Sequence, residues 1–291
     1  MTASSSGPSR RTPASVIIPA HNEQRVITRL LDNLLADAEP GEFEVIVVCN
    51  GCSDGTAETA RKAAPAAQVV ELPTASKIAA LNEGDHRATR YPRLYVDADV
   101  EISTAAARAT VEALASGPAL CAAPHLEWDE SGLSWAVRQF YRVLLQTPYF
   151  QQEQVGTGVY GLSEPGRARF DDFPEVIADD QFVLELFALD ERRSLAGQAF
   201  RIFPPRSLRA LVRVRTRVYR GNRQLAAMRA GSDGRAASSA AGVARLAGDP
   251  RNWAGLAIYV GVNLAARANA HRQAGRWERD ETSRQQLVAD G

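Results

Sequence analysis

The stretch RLYVDADVEIS, Arg93 to Ser103, decides how this chain is read. Leu94, Tyr95 and Val96 are a short β-type run, and Asp97 and Asp99 follow with only Ala98 between them. Aspartate is a poor strand residue and is costly to bury without a partner. Two carboxylates at the end of a core-like strand therefore mark the point where the strand leaves the core. In an extended segment residues i and i+2 point the same way, so a bend after Val96 aims both carboxylates at one cation. Mg2+ and Mn2+ prefer hard oxygen ligands, often one or two carboxylates plus substrate phosphates. The competing reading is a solvated loop that caps a helix starting at Ser103 or Thr104.

Working outward from that strand, helices and strands alternate. Ser15 to Pro19 (SVIIP) predicts a buried strand, and Gln24 to Ala36 carries a helical stripe of Val26, Ile27, Leu30, Leu31, Leu34 and Leu35. Phe43 to Val48 (FEVIVV) predicts a second strand and CNGCSDGT a turn. Thr56 to Ala64 reads as a helix with Ser53 or Asp54 near its cap. Gln68 to Leu72 reads as a third strand, Ser76 to Ala88 as a helix and Leu94 to Val96 as a fourth strand. This alternation predicts a parallel, doubly wound α/β sheet. Ligands of such sheets lie beyond the carboxyl ends of the strands. That rim would carry AHNE (20–23), CNGCSD (49–54), PTASK (73–77) and DAD (97–99).

The second half is less regular. A strand is expected at Ala119 to Ala123, a helix at Leu133 to Leu145, and strand plus turns at GTGVYGLS (156–163). Asp179 to Leu189 reads as an amphipathic helix and Gln198 to Pro204 as a strand. The chain of 291 residues is long enough for a sizeable core. Basic and acidic residues balance, 34 against 34, so bulk charge gives no reason to expect a nucleic-acid partner. The 3 cysteines, Cys49, Cys52 and Cys121, make no disulfide framework, and Cys49-x-x-Cys52 lacks the second pair that structural zinc wants. Small residues at a strand end is the favoured reading, in a reduced, cytoplasmic protein. MTASSSGPSRRTPA is polar, without the apolar core of a signal peptide, and is expected to be a disordered tail. No stretch has the ~20 apolar residues that a membrane span needs.

SVIIPAHNE, EVIVVCNGCSDGTAETA, SKIAALNEGDHRA and RLYVDADV, in that order, resemble glycosyltransferase family 2, the nucleotide-sugar-dependent enzymes of the GT-A fold. The resemblance is strong over residues 14–105 and weaker to about residue 225. It implies a Rossmann-like, mostly parallel sheet flanked by helices, with an acceptor-side region in the second half. It implies a sugar transfer from a nucleoside-diphosphate donor to an acceptor hydroxyl, with Mn2+ or Mg2+ as cofactor. Pro19, Asn22 and Glu23 would lie at the nucleotide end, with Asp54, Lys77 and Asp97 also on the donor. Asp99 would be the direct metal ligand and Asp97 the second. The family often has two acids after its second strand; this chain has Cys49-Asn50, leaving Asn50 to bond a base edge. Asn82 and Gly84 match the N-x-G of the following helix, where helix packing is an equal alternative.

PEVIADDQFVLELF (174–187) opens a helix with Asp179-Asp180, and capping would explain only one of the two. Inverting sugar transfer needs a carboxylate to take the acceptor proton. By resemblance Asp180 matches the catalytic position, with Asp179 the other candidate. GTGVYG (156–161) formally matches a dinucleotide fingerprint but runs into the turn Glu164-Pro165-Gly166, so a small-residue wall beside the donor sugar fits better. Arg213, Arg215 and Arg217 alternate as on a strand face. Arg217 and Arg220 are candidate diphosphate contacts, the alternatives being anionic lipid head groups or a plain exposed basic face. Many processive members carry a Q-x-x-R-W motif near here; this chain is read as having none, which argues against a processive polymer synthase. Trp253 to Ala266 is apolar but short; a packed helix is expected, and peripheral membrane contact through 251–272, at the inner face of the membrane, is the runner-up.

The expected organisation is a tail (1–13), a GT-A domain (14–225, with a nucleotide-binding half at 14–105 and an acceptor half at 106–225) and a C-terminal helical region (226–291). The acceptor would be a sugar, a lipid-linked or a small molecule, in cell-surface polysaccharide or glycolipid synthesis. Two other classes compete. A sugar-phosphate nucleotidyltransferase should carry a Gly-rich basic loop after its first strand, which AHNEQR lacks. A non-catalytic nucleotide-sugar-binding protein is kept open by Cys49-Asn50.

Overall fold

The computed structural model describes residues 11–147, 156–228 and 246–272. The expected tail up to residue 10, and most of the C-terminal region, lie outside these. The strands are β1 (Ala14–Ala20), β2 (Phe43–Asn50), β3 (Gln68–Leu72), β4 (Arg93–Val96), β5 (Glu101–Ile102), β6 (Cys121–Trp128), β7 (Val159–Leu162) and β8 (Arg192–Ile202). The helices are α1 (Ile27–Leu35), α2 (Thr56–Ala63), α3 (Lys77–Arg87), α4 (Thr104–Ser116), α5 (Trp135–Leu144), α6 (Glu164–Arg167), α7 (Asp179–Glu185), α8 (Leu208–Met228) and α9 (Trp253–Arg272).

One sheet runs in the order β3-β2-β1-β4-β7-β6-β8-β5. The first four strands are mutually parallel, with Val16 opposite both Val45 and Leu94. β7 then pairs antiparallel with β4 and with β6, while β6 and β8 are parallel. The sheet is thus mostly parallel with helices on both faces, the GT-A arrangement. Because both faces are covered, β1 and β2 are apolar runs rather than alternating ones. Val16, Ile18, Val47 and Val96 pack with Leu30, Leu31 and Leu34 of α1 and with Ala106 and Ala107 of α4. Ile17, Ile46, Val48 and Tyr95 point the other way, onto Ile78 and Leu81 of α3 and Val183 and Leu184 of α7. Side chains alternate across a strand, so one run serves two cores. Gly84 lets α3 come down on β1, since a Cβ there would sit 2.5 Å from Ile17 Cγ2. A third core joins α5, α8 and α9 through Val137, Phe140, Leu211 and Val262.

Behind the sheet Asp85 of α3 is buried and fully engaged. It accepts from Tyr95 Oη, pairs with Arg93 Nη1 at 2.8 Å and accepts from Arg167 Nε at 2.8 Å. Burial raises its pKa, but Arg167, Tyr95 and Arg93 outweigh that and hold the carboxyl below its ordinary value.

Several elements differ from expectation. β6 runs to Trp128, past the expected Ala123, and α7 ends at Glu185, short of the expected Leu189. β2 does not stop at Val48 but pairs through Cys49 and Asn50, because the parallel ladder with β1 runs to Ala20. β8 starts at Arg192, ahead of the expected Gln198, and continues the β6 ladder across an irregularity between Pro124 and His125. The alternating arginines lie on a helix, α8, and not on a strand face. Spacings of two alone do not separate the periods; here the positions that share contacts are four and three apart, 217, 221 and 224.

Candidate active site

The carboxyl ends of β1, β2, β3 and β4 open on one rim beside the switch from β2-β1 to β1-β4. At the end of β1, Asn22 sits at φ 53° and its Oδ1 accepts from Ser53 N at 2.7 Å. Glu23 is buried, and its backbone N donates to Thr56 Oγ1 at 2.8 Å. Asp54 is exposed; its Oδ1 accepts from Thr56 N at 3.1 Å and its Oδ2 from Gln24 N at 3.3 Å. These bonds stitch the AHNE and CNGCSD loops into one wall. Pro19 lies buried within β1.

Asn50 is also buried, and its Nδ2 donates to Ala20 O at 2.8 Å. One of the N–H groups that a base edge would need is therefore engaged inside the wall. Cys49 belongs to the core, and Cys52 Sγ accepts from Asn22 N at 3.4 Å. Asn82 bonds the Phe173 backbone in both directions, at 3.2 and 2.8 Å, and Gly84 packs on Ile17; both therefore seat α3.

The centre is an ion cluster. Ser76 caps α3, its Oγ accepting from Ala79 N at 3.1 Å. That places Lys77 at the first helical position, aimed at the rim. Lys77 Nζ lies 2.7 Å from Asp97 Oδ1 and 3.0 Å from Asp179 Oδ1. Burial disfavours the ammonium, but Asp179 and Asp97 outweigh it and raise its pKa, so Lys77 stays protonated. Burial raises the pKa of Asp97 and Asp179, and Lys77 offsets this only in part. One cation thereby ties the D-x-D turn after β4 to the start of α7, although Asp97 and Asp179 stand 82 positions apart in the chain.

Asp179 and Asp180 have different surroundings. Asp179 is 3% exposed and held by Lys77. Asp180 is half-buried, and its Oδ2 accepts from Thr157 N at 3.3 Å. Between Asp97 and Asp180 runs Gly156-Thr157-Gly158, with φ of 119°, 70° and 103°. Such backbone is open to glycine and strained for threonine. A Cβ on Gly156 would lie 3.6 Å from Asp180 Cβ, and one on Gly158 3.6 Å from Asp97 Oδ2. This loop feeds β7 rather than a helix, and its two glycines lie against Asp180 and Asp97. It separates the two carboxylates by the width of a backbone.

Two supports were not legible in the sequence. Arg29 Nη2 donates to Asp99 O at 3.1 Å while its guanidinium stacks 3.7 Å from the Phe203 ring centroid. An arginine on an amphipathic helix carries no local signal for that role. The second support is α8, whose face at 217, 221 and 224 meets the start of α7. Arg217 acts electrostatically on Asp179, Gly221 packs against Ala178, and Gln224 Oε1 accepts from Ile177 N at 3.0 Å. Arg220 is half-buried one helical turn on from Arg217. Contrary to expectation the chain does contain a Q-x-x-R-W match, QAGRW at 273–277, which lies outside the described residues and removes the ground for excluding a processive synthase.

For a divalent cation, the rim offers Asp97 and Asp99. Among the described residues no group of three or more His, Cys, Asp or Glu side chains gathers around a point. Two hard carboxylates without a full cage suit an ion that completes its shell with substrate phosphates and water.

Known structures share this architecture. The mannosyltransferase PcManGT from Pyrobaculum calidifontis, in complex with GDP-Man and Mn2+, is 21% identical, with a TM-score of 0.64 over 91% of this chain and 88% of that one. Glucosyl-3-phosphoglycerate synthase from Mycobacterium tuberculosis, with Mn2+, UDP and glucosyl-3-phosphoglycerate, is 20% identical, with a TM-score of 0.53 over 72% of this chain and 80% of that one. TarS from S. aureus is 19% identical, with a TM-score of 0.52 over 72% of this chain and 40% of that one. At these identities the likeness is one of fold. No curated protein matches the chain. Residues 15–171, more than half of the chain, match the family model for glycosyl transferase family 2, and the chain belongs to that family of GT-A glycosyltransferases.

Proposed function

We propose that this glycosyltransferase moves a sugar, with inversion, from a nucleoside diphosphate to an acceptor hydroxyl, and that Asp180 is the general base. The observation that carries this reading is the division of labour between the paired acids. Asp179 is buried and neutralised by Lys77, whereas Asp180 is half-buried and its carboxylate accepts from the backbone N–H groups of Thr157 and Gln181. A base needs reach to the acceptor proton, and a carboxylate locked in a buried ion pair lacks it.

The AHNE and CNGCSD walls would hold the nucleoside, with Asn22, Glu23 and Asp54 on the donor side. Asp99, with Asp97, would hold Mn2+ or Mg2+; when bound, the ion would supply Lewis-acid stabilisation of the departing diphosphate. Structural neighbours hold GDP-Man with Mn2+, or UDP with Mn2+ or Mg2+. Lys77 keeps Asp97 and Asp179 in register, and Arg217 and Arg220 would meet diphosphate charge from the α8 side. Asp180 takes the hydroxyl proton as the acceptor oxygen attacks the anomeric carbon from the face opposite the leaving group.

The test pairs two variants against a panel of UDP-, GDP- and dTDP-sugars. Asp99→Asn should abolish metal-dependent donor stabilisation in thermal shift. Asp180→Asn should keep donor binding and lose turnover. Wild-type turnover in Asp180→Asn would remove the base assignment, and binding without turnover in the wild type, with acceptors supplied, would favour a binding protein.

A further inference from the structure

We propose that the outward face of α9 is a docking surface for an anionic lipid bilayer, with the helix lying in the plane of the interface. The inner face of α9 is accounted for: Val262 joins the third core, Tyr259 stacks on Phe140 and Gly255 meets Val143. The outer face is a second apolar stripe. Trp253 is 61% exposed, Val260 47% and Leu264 58%, and Ala257 is exposed between them. Their spacings of four, three and four put them on one line, ~16 Å long at 1.5 Å per residue. A helix apolar all round is normally buried or faces an apolar medium. No described helix is long and apolar enough to cross a membrane, so the stripe would lie on a bilayer and not span it.

Charge selects the occupant. Every charged side chain of α8 is an arginine, and α9 has no carboxylate either. Arg223, Arg251 and Arg267 are exposed around the stripe. The whole chain balances 34 against 34, so this is a local excess. A second copy docked here about a twofold axis would bring arginines against arginines. A nucleic acid would satisfy the arginines and leave Trp253, Val260 and Leu264 in water. An anionic bilayer meets both features, with acyl chains under the stripe and head-group phosphates beside the guanidinium groups.

The surface also has a place in the site. α8 packs on α9 through Arg215, which donates to Asn263 Oδ1 at 3.1 Å, and on the start of α7 through Gly221. Two helices, α9 and α8, therefore link the proposed lipid surface to the helix start that carries Asp180. The inference that the acceptor is drawn from the membrane rests on the proposed transfer reaction; the docking itself does not.

The test is flotation of the full chain with phosphatidylcholine vesicles, with and without phosphatidylglycerol. Wild type should float with the anionic vesicles and stay behind with the neutral ones. Val260→Glu/Leu264→Glu should weaken that binding at least ~10-fold, as expected for two apolar side chains kept out of the bilayer. Arg251→Gln/Arg267→Gln should weaken it by ~5-fold or more per charge and flatten its salt dependence. All these positions are exposed, and an unchanged melting temperature checks the fold. Equal flotation of Val260→Glu/Leu264→Glu and wild type overturns the proposal. So does equal binding to neutral vesicles, or a wild-type dimer that the same variant dissolves without any vesicle binding. Failure to float at all overturns it too, in favour of coverage by the chain itself. Asp180→Asn must float like wild type, which separates failure of docking from failure of the base assignment.

Discussion

The donor rim and the arginine helix α8 both reach Asp179 at the start of α7, yet they are built on opposite plans. On the rim, polar side chains bond backbone groups across short loops: Asn22 Oδ1 and Asp54 Oδ1 accept from Ser53 N and Thr56 N, and Asn50 Nδ2 donates to Ala20 O. On α8 the charges are of one sign and are shared between neighbours, Arg217 toward Asp179 and Arg215 toward Asn263. A wall that neutralises itself holds a shape before any ligand arrives. A helix whose charged side chains are all arginines sets a positive field beside the start of α7. Lys77 stands at the junction, one cation between the two plans.

The sharpest way to break this comparison is at the junction's open side. Asp180→Asn should lower single-turnover product formation by about 10^2 to 10^4, with donor affinity unchanged. Asp179→Asn should instead disturb both, because it removes a buried partner of Lys77; a pattern identical to Asp180→Asn would erase the distinction between the two acids. Behind the rim, Asp85→Asn leaves Arg93 and Arg167 without their buried carboxylate and should cost about 3–5 kcal/mol in urea unfolding. The pH dependence has a definite sign. Asp85 is depressed in the folded state, so its contribution is present above its unfolded value of ~3.9 and lost as pH falls through the folded value. Wild type and Asp85→Asn should therefore differ most at neutral pH and converge in acid.

Smaller effects sharpen the picture of α3. Gly84→Ala should destabilise by about 1–3 kcal/mol, since the added carbon meets Ile17 and neither the strand nor the helix can yield cheaply. If it is neutral, α3 is held by the Asp85 cluster alone. Ser76→Ala should cost ~1 kcal/mol by thermal unfolding, the worth of one cap.

The donor half was readable because its signals are local. SVIIP, FEVIVV and RLYVDADV are apolar runs ended by polar residues, and each formed the expected strand. The rim followed from parallel order alone. The acceptor half was read less well because its signals compete. Arg213, Arg215 and Arg217 suit a strand's alternation, and only the neighbours at Gly221 and Gln224 expose the helical period. β8 begins six residues before its expected start because the β6 ladder recruits polar residues that no propensity favours. Asn50 looked available for a ligand, and its engagement by Ala20 depends on how far the β1–β2 ladder extends.

The sequence by itself determined the order of elements in the donor half, the placing of four polar loops on one rim and the family to which they belong, since these follow from patterns within a few residues of one another. Tertiary structure alone decided which aspartate is locked and which is open, that Lys77 spans two halves of the chain, and which side of α9 faces outward. Those outcomes depend on groups brought together from distant segments. Their charge states and exposure exist only once the sheet, α7 and α8 have closed around the same point.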